Sequence, residues 1–195
     1  MNKGRLEAFS DGVFAIIITI MVLELRVPEG GTFEDLKPLI PKFISYILSF
    51  TYVAIYWNNH HHMFQLVKHV NGKVLWRNMF LLFCLSLVPF VTAWMGENHF
   101  SASPTALYGI VLAMAGIAYY FLIHSLIKLH GEDSLLATSI GNDFKGKISV
   151  VIYVVGILVS FYNSWISFGL YCCVAVTWFI PDKRIEKKLV TKGEE

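Results

Sequence analysis

Six apolar stretches, separated by polar segments, run along the chain, and their lengths are typical of helices that cross a bilayer. A helix rises about 1.5 Å per residue, so a hydrocarbon core of about 30 Å needs about 20 residues. Spans are predicted at about residues 6–27, 42–67, 74–95, 105–129, 148–162 and 164–180. The last two are short and adjacent, which predicts a tight helical hairpin. The pattern indicates an all-α integral membrane protein with six transmembrane helices in one domain, residues 1–182.

Composition supports this interpretation and excludes a soluble globule. Of the 195 residues, 55% are hydrophobic and 15% are charged, and the mean hydropathy is +0.57. Soluble domains usually carry about 25% charged residues, which they need to cover their surface. The formal net charge is only +2, so composition gives no indication of a nucleic-acid partner.

The distribution of Lys and Arg predicts the orientation in the membrane. Both residue types concentrate at the N-terminus, in the segments after spans two and four, and in the tail at residues 183–195. The segment after span three, residues 97–103, contains none. The cytoplasmic segments of membrane proteins are enriched in Lys and Arg. The chain is expected in the cell (inner) membrane as a multi-pass protein. Both termini are predicted to be cytoplasmic, with residues 183–195 as a charged tail.

One face of the first span carries a stripe of aliphatic side chains. At about 100° per residue, Gly12, Ile16, Ile20 and Leu23 share this face, and Thr19 lies at its edge. The stripe could be an apolar surface that contacts lipid or a neighbouring helix. It could also line a pore. The pattern alone leaves both interpretations open.

The same helix begins with polar residues, among them Arg5, Ser10 and Asp11. Ionisable groups inside a membrane are costly and usually face the protein interior. Asp11 lies about 140° from Ile16 around the helix. We therefore expect Asp11 to mark the packed side of the first span. The aliphatic stripe on another side would then be available to line a cavity or a pore.

Two sequence motifs resemble those of the transmembrane protein 175 (TMEM175) family of potassium channels. Arg5, Phe9, Ser10 and Asp11 form the pattern Arg-x-x-x-Phe-Ser-Asp, and Thr19 follows eight residues after the aspartate. The segment YWNNHHHMF at residues 56–64 and the six-span layout are also similar to the family. Eukaryotic members have two six-span repeats. This chain has one, so it resembles a prokaryotic member, and the family assembles such chains as homotetramers.

The resemblance implies a potassium-preferring passive cation channel whose pore is lined by the first helix. The hydrophobic constriction of the family falls on Ile16, further pore-lining aliphatics on Ile20 and Leu23, and a hydroxyl ring linked to selectivity on Thr19. The sequence contains no carbonyl-filter motif such as TVGYG and no Arg-rich voltage sensor. Potassium would then be preferred because it sheds water at lower cost than sodium. The expected partners are further copies of the chain, the lipid bilayer and permeant monovalent cations, with no cofactor other than the permeant potassium ions.

A cluster of polar and aromatic residues in span two is predicted to anchor the first helix. The predicted network contains Arg5, Phe9, Ser10 and Asp11 of span one and Trp57, Asn58, His60 and His61 of span two. A metal site is disfavoured, because three consecutive histidines spread over about 200° of a helix and cannot all reach one ion. A pH-sensing role stays open, since an unperturbed imidazole titrates near about 6.5.

Two other classes of function remain as alternatives. A secondary transporter of a small cation or solute usually has discontinuous helices and a polar site at the midplane, whereas the first span is continuous and aliphatic there. A membrane enzyme would need paired carboxylates, a plausible Ser/His pair or several spaced histidine boxes, and the sequence offers none. We therefore predict no catalytic residues and no metal site.

Overall fold

The computed structural model describes residues 3–141 and 143–179, and all regular structure in these ranges is helical. The α-helices are α1 (Gly4–Leu23), α2 (Ile40–Gln65), α3 (Gly72–Ser86), α4 (Val88–Glu97), α5 (Ala102–His130), α6 (Leu135–Ile140), α7 (Phe144–Val159) and α8 (Ser164–Phe179). A 3₁₀-helix, Phe33–Leu39, precedes α2. The predicted tail at 183–195 and the last residue of the sixth predicted span lie outside the described residues.

Four helical stretches of the described chain are long and apolar enough to cross a membrane, and they agree with the first four predicted spans in order. They are Gly4–Leu23, Phe33–Gln65, Gly72–Glu97 and Ala102–His130. Helices α7 and α8 have 16 residues each, which corresponds to about 24 Å of helix. The all-α prediction is confirmed, with four to six candidate membrane helices.

Helix α1 ends at Leu23, short of the predicted span end at residue 27. Residues 24–28 form a turn followed by irregular backbone. The helical conformation is disfavoured for a residue that precedes proline, and Pro28 imposes this on Val27. Glu24 and Arg26 are exposed here, so the helix stops where its surroundings become polar.

The third predicted span consists of two helices, α3 and α4, which meet at Leu87. Pro89 has no N–H group and cannot continue the hydrogen-bond ladder of α3. The Leu87 N–H instead bonds the Cys84 carbonyl at 3.3 Å, and the ladder resumes with Val91 N–H to the Leu87 carbonyl at 3.2 Å. The break separates two packing partners, since α3 packs mainly on α5 and α4 mainly on α2.

A buried tyrosine joins the second half of the bundle to α2. The Tyr171 side chain of α8 is fully buried and lies against Gly109 of α5 and Gly156 of α7. A Cβ atom on Gly156 would lie 2.5 Å from Cε1 of this ring, so only glycine leaves the space. The Tyr52 hydroxyl of α2 donates a hydrogen bond to the Tyr171 carbonyl at 2.6 Å. Helices α2, α5, α7 and α8 therefore meet at one packed point.

Candidate pore-lining face and its polar anchor

One face of α1 packs into the protomer, against α2, α3 and α4. Its buried residues are Leu6, Ser10, Phe14, Ile17 and Met21. The spacing of three or four residues places them on one side of the helix. The packed face is therefore centred near Ser10 and Phe14.

The aliphatic stripe predicted from the sequence lies on a different side of α1 and points away from the protomer core. Ile16 is 57% exposed, Ile20 is 42% exposed and Leu23 is 77% exposed. On a helical wheel the centre of the stripe lies about 120° from the centre of the packed face. A continuous row of exposed aliphatic side chains needs a covering partner, either lipid or another protein chain.

Thr19 is exposed at the edge of the stripe, and its hydroxyl hydrogen is already used. Thr19 Oγ1 donates a hydrogen bond to the Ile16 carbonyl at 2.9 Å. A hydroxyl that has donated its proton still carries acceptor lone pairs. The outward side of the Thr19 oxygen can therefore act as an electron-pair donor to a cation.

A chain of buried polar groups fixes the packed face of α1 to α2 and α3. The Ser10 hydroxyl donates to the Leu6 carbonyl at 2.8 Å and accepts a hydrogen bond from Asn78 Nδ2 at 3.0 Å. Asn78 Oδ1 lies 2.8 Å from His60 Nε2. Because the amide oxygen can only accept, Nε2 of His60 must carry the proton. Ser10, Asn78 and His60 are each at most 1% exposed, so their polar groups satisfy one another away from solvent.

Asp11 forms a second, exposed link between α1 and α2, and its position differs from the prediction. Trp57 Nε1 donates to Asp11 Oδ1 at 2.9 Å, and the Trp57 ring stacks on His61 at 5.8 Å between centroids. Asp11 is exposed and lies about 100° from Ser10 around the helix, so it does not mark the packed side. At the edge of the packed face the carboxylate keeps access to solvent while it accepts the indole N–H.

The other predicted network members are peripheral in the protomer. Arg5 and Phe9 are exposed, and among the described residues no hydrogen bond or ion pair of the Arg5 side chain reaches the cluster. The nearby cation that does link the two helices is Lys3, whose Nζ donates to the Phe64 carbonyl of α2 and lies 3.9 Å from Glu7. Asn58 is half-buried.

The sequence interpretation missed Asn78, which is the central group of the buried chain. Its only sequence signal was an amide next to Arg77 inside the largely apolar third span. The three histidines diverge as predicted: His60 is buried on Asn78, whereas His61 is exposed and bonds Gln65 Nε2 at 2.8 Å. Across residues 3–141 and 143–179, no group of three or more His, Cys, Asp or Glu side chains is arranged to hold a metal ion.

A tyrosine-rich cavity of about 300 Å³ lies between α2, α5 and α7, away from the exposed stripe. Tyr56 and Tyr119 line it, with their rings edge to face at 5.9 Å. Asp143 also lines it and caps α7, because its Oδ1 accepts the Gly146 N–H at 3.2 Å. Burial raises the pKa of the Asp143 carboxyl above its ordinary value, against the lowering effect of the Gly146 N–H.

Comparison with known proteins identifies the family. The family model described as "Endosomal/lysosomal potassium channel TMEM175" matches residues 5–89, which include the opening motif and Asn78. A potassium channel of Chryseobacterium is 58% identical over 97% of this chain and 98% of its own length. A potassium channel of Chamaesiphon minutus is 34% identical over 91% of this chain and 93% of its own length.

A solved structure supports the same assignment at the level of the fold. The crystal structure of a lysosomal potassium-selective channel TMEM175 homolog from Chamaesiphon minutus superposes with a TM-score of 0.78 at 29% identity. The match covers 92% of this chain and 97% of the homolog. Sequence identity over nearly the full length and the shared fold lead to one conclusion: the chain belongs to the TMEM175 family, within its bacterial branch of potassium channels.

Proposed function

We propose that this chain forms a homotetrameric, potassium-preferring passive cation channel in the cell (inner) membrane, with α1 of each subunit lining a central pore. Its bacterial relatives are named as potassium channels, which favours a channel over an enzyme. The observation that carries the proposal is the exposed aliphatic stripe of α1, which includes Ile16, Ile20 and Leu23.

The distribution of burial favours an assembly in which α1 lies at its centre. Only 28% of the residues in the apolar window of α1 are buried within the protomer, and the same share holds for the stretch that contains α2, against 56% for α3–α4 and 50% for α5. Helices α1 and α2 thus both lie at the periphery of one subunit, and of the two it is α1 that carries the aliphatic stripe. Four copies related by a fourfold axis next to α1 would cover the stripe and convert it into the wall of a channel.

Such a pore would select between cations by the cost of removing their hydration water. Ile16 and Leu23 are separated by about 10 Å along the helix, so converging stripes would form an aliphatic tube of that length. A hydrophobic constriction excludes water, and an ion must lose part of its hydration shell to enter. Potassium is more weakly hydrated than sodium and loses water at lower cost. A ring of Thr19 oxygens, with their hydrogens already bonded to the Ile16 carbonyls, would replace part of the lost shell.

The buried polar chain would set the rotation of α1 and hence which side chains reach the axis. A rotation by one residue, about 100°, would replace Ile16 at the constriction with a different side chain. The bonds from Asn78 to Ser10 and His60 fix this angle from the packed side, and the Trp57–Asp11 bond fixes it from the edge. The motif residues Ser10 and Asp11 would therefore position the pore without contacting ions.

The proposed topology has six membrane crossings, with α7 and α8 as the fifth and sixth. These helices pack on each other, and the Asn163 side chain between them accepts the Trp165 N–H at 3.0 Å, which begins α8. An even number of crossings places both termini on one side, and the distribution of Lys and Arg assigns that side to the cytoplasm.

The test of this function is the substitution Ile16→Asn in protein reconstituted into planar bilayers. An amide ring at the constriction hydrates the tube, so conductance should rise and the sodium-to-potassium permeability ratio should move towards one. Val22→Asn is the matched control, because Val22 is also exposed on α1 but lies about 120° from the centre of the stripe. An unchanged permeability ratio in Ile16→Asn, or an equal change in the control, would contradict the proposed pore.

Passive conduction is separated from secondary transport by flux measurements on liposomes with a potassium gradient, with and without valinomycin. A channel gives electrogenic potassium movement that needs no second substrate. Saturating flux that depends on a coupled ion would instead identify a transporter.

A further inference from the structure

A basic pocket of about 490 Å³ lies between the beginning of α3 and the C-terminal part of α5, and its lining includes no residue of α1. We refer to it as the α3/α5 pocket. Its lining includes Asn71, Lys73, Arg77, His124, Ser125 and Lys128. The basic residues are too far apart in the sequence to form a visible cluster, and the packing of α3 on α5 brings them together.

The basic residues of the pocket come in pairs on the facing helices. Lys73 and Arg77 are four residues apart on α3, and His124 and Lys128 are four residues apart on α5, so each pair lies on one side of its helix. The lining contains no Asp or Glu, and within the described part of the chain Lys73, Arg77 and Lys128 form no ion pair. Asp143, outside the lining, interacts electrostatically with His124. Clustered positive charge with no carboxylate in the lining attracts anions.

Ser125 provides an independent indication of a ligand. It is 7% exposed, and among the residues that the structure describes its hydroxyl oxygen has no hydrogen-bond partner. A serine inside a helix usually donates to the carbonyl four residues earlier, which here is that of Phe121. Arg77 Nη1 donates to this carbonyl at 2.6 Å, and the guanidinium lies 5.2 Å from the Phe121 ring centroid. The Ser125 hydroxyl thus remains unpaired in the wall of the pocket, although an unpaired buried hydroxyl is unfavourable.

The start of α3 adds to the positive potential at the same place. Asn71 caps the helix, since its Oδ1 accepts the Val74 N–H at 3.0 Å. The first turn of a helix carries the positive end of the helix dipole and N–H groups without acceptors in the helix. Phosphate groups bind readily at such a terminus.

The height of the pocket in the membrane points to the headgroup region. Trp76 lies between Lys73 and Arg77 in the sequence and is 79% exposed. Exposed tryptophans at the ends of membrane helices are typical of the interface between hydrocarbon and water. Basic pockets between membrane helices at this level bind anionic lipid headgroups.

We propose that the α3/α5 pocket binds the phosphate group of an anionic glycerophospholipid from the adjacent leaflet. Lys73 and Lys128 contribute charge from opposite sides, and Arg77 offers a planar pair of donors to the phosphate oxygens. The Ser125 hydroxyl donates to the same group and thereby gains its missing partner. This site is independent of the pore, and it would exist even if the chain conducted no potassium.

The test measures the thermal stabilisation of the purified protein in neutral detergent by short-chain phosphatidylglycerol. A ligand that binds only the folded state raises the apparent melting temperature with its concentration, which yields an affinity. Short-chain phosphatidylcholine and inorganic phosphate serve as comparison probes. We expect phosphatidylglycerol to stabilise at lower concentrations than either, because the site combines net positive charge with a position at the membrane surface.

Charge substitutions locate the site. Lys73→Gln and Lys128→Gln should each weaken the affinity for phosphatidylglycerol about fivefold. Lys147→Gln is the matched control: Lys147 is exposed at the start of α7, at the same end of the bundle but outside the pocket. Its substitution changes the net charge equally and should alter the affinity less than twofold. An equal loss in the control would show diffuse attraction and overturn the proposal.

Ser125→Ala provides a readout that a purely structural role would not give. The melting temperature without lipid should be unchanged or higher, because the substitution removes an unpaired buried hydroxyl. The affinity for phosphatidylglycerol should fall about tenfold, since a hydrogen bond to a charged group is lost. An unchanged affinity, or protection by inorganic phosphate at the same concentrations as by phosphatidylglycerol, would contradict a lipid headgroup site.

Discussion

Replacing Asn78 with leucine removes the central group of the buried chain that joins α1, α2 and α3. Leucine has a similar size, so the substitution changes hydrogen bonding more than packing. The Ser10 hydroxyl keeps its bond to the Leu6 carbonyl, but His60 Nε2–H loses its acceptor at a position that is 1% exposed. The perturbation therefore consists of one lost bond to Ser10 and one unpaired N–H group.

The expected cost follows from these two losses. A net hydrogen bond contributes about 1 kcal/mol, and a buried donor without an acceptor costs about 1–3 kcal/mol, so Asn78→Leu should destabilise by about 2–4 kcal/mol. For a chain of 150–250 residues, about 1 kcal/mol shifts the melting temperature by about 2–4 °C. We expect a decrease of about 5–12 °C in detergent at a fixed scan rate, followed by tryptophan fluorescence.

A second substitution distinguishes the cost of an unpaired buried N–H group from the cost of lost packing contacts. His60 lies against Phe64 and Phe14, with ring centroids at 4.6 and 5.7 Å, so phenylalanine fits its surroundings. In the double variant Asn78→Leu with His60→Phe both partners are apolar, and at least half of the lost stability should return. A melting temperature of Asn78→Leu within about 1 °C of the wild type would contradict the structural role of Asn78. A double variant whose loss of stability equals the sum of the two single-variant losses would contradict it as well.

Three further predictions concern the rest of the bundle. Gly156→Ala places a methyl group against the buried tyrosine of α8 and should cost about 1–3 kcal/mol, whereas Gly169→Ala, where an added Cβ meets no atom within 4 Å, should leave the melting temperature unchanged. Thr105→Val removes a buried hydroxyl that has no hydrogen-bond partner in the described part of the chain, so stability should stay equal or rise by about 1 kcal/mol. A clear decrease would show that the hydroxyl is bonded. Trp57→Phe and Asp11→Asn should each lower stability by less than about 1 kcal/mol. A double-mutant cycle should give a nonzero coupling energy between the two residues, and a coupling energy of zero would show that the indole–carboxylate bond does not form.

The aliphatic stripe could be predicted from the sequence because it depends only on the period of a single helix. Ile16, Ile20 and Leu23 share a side whatever surrounds α1, and the structure leaves that side exposed. The four longest membrane helices could likewise be predicted, because they depend only on the length and hydropathy of each apolar stretch. The end of α1 was less predictable: the predicted span runs to Val27, whereas the helix ends at Leu23, just before the exposed Glu24 and Arg26.

Tertiary partners could not be predicted in the same way. Asp11 was expected on the packed side because buried charge usually faces protein, but a carboxylate at the edge of that side satisfies an indole and keeps solvent access. Asn78 becomes central only through the approach of α3 to α1 and α2. The α3/α5 pocket combines Lys73 with Lys128, which are distant in the sequence, so no local pattern of charge reveals it.

A cryo-electron microscopy map of the protein in lipid nanodiscs would show whether the stripe of α1 faces the axis of a tetramer. We expect four subunits around one axis, with Ile16, Ile20 and Leu23 of every α1 directed at that axis and Thr19 at the edge of the tube. A different subunit number, or a map in which these side chains contact lipid while another helix lines the axis, would contradict the proposed pore.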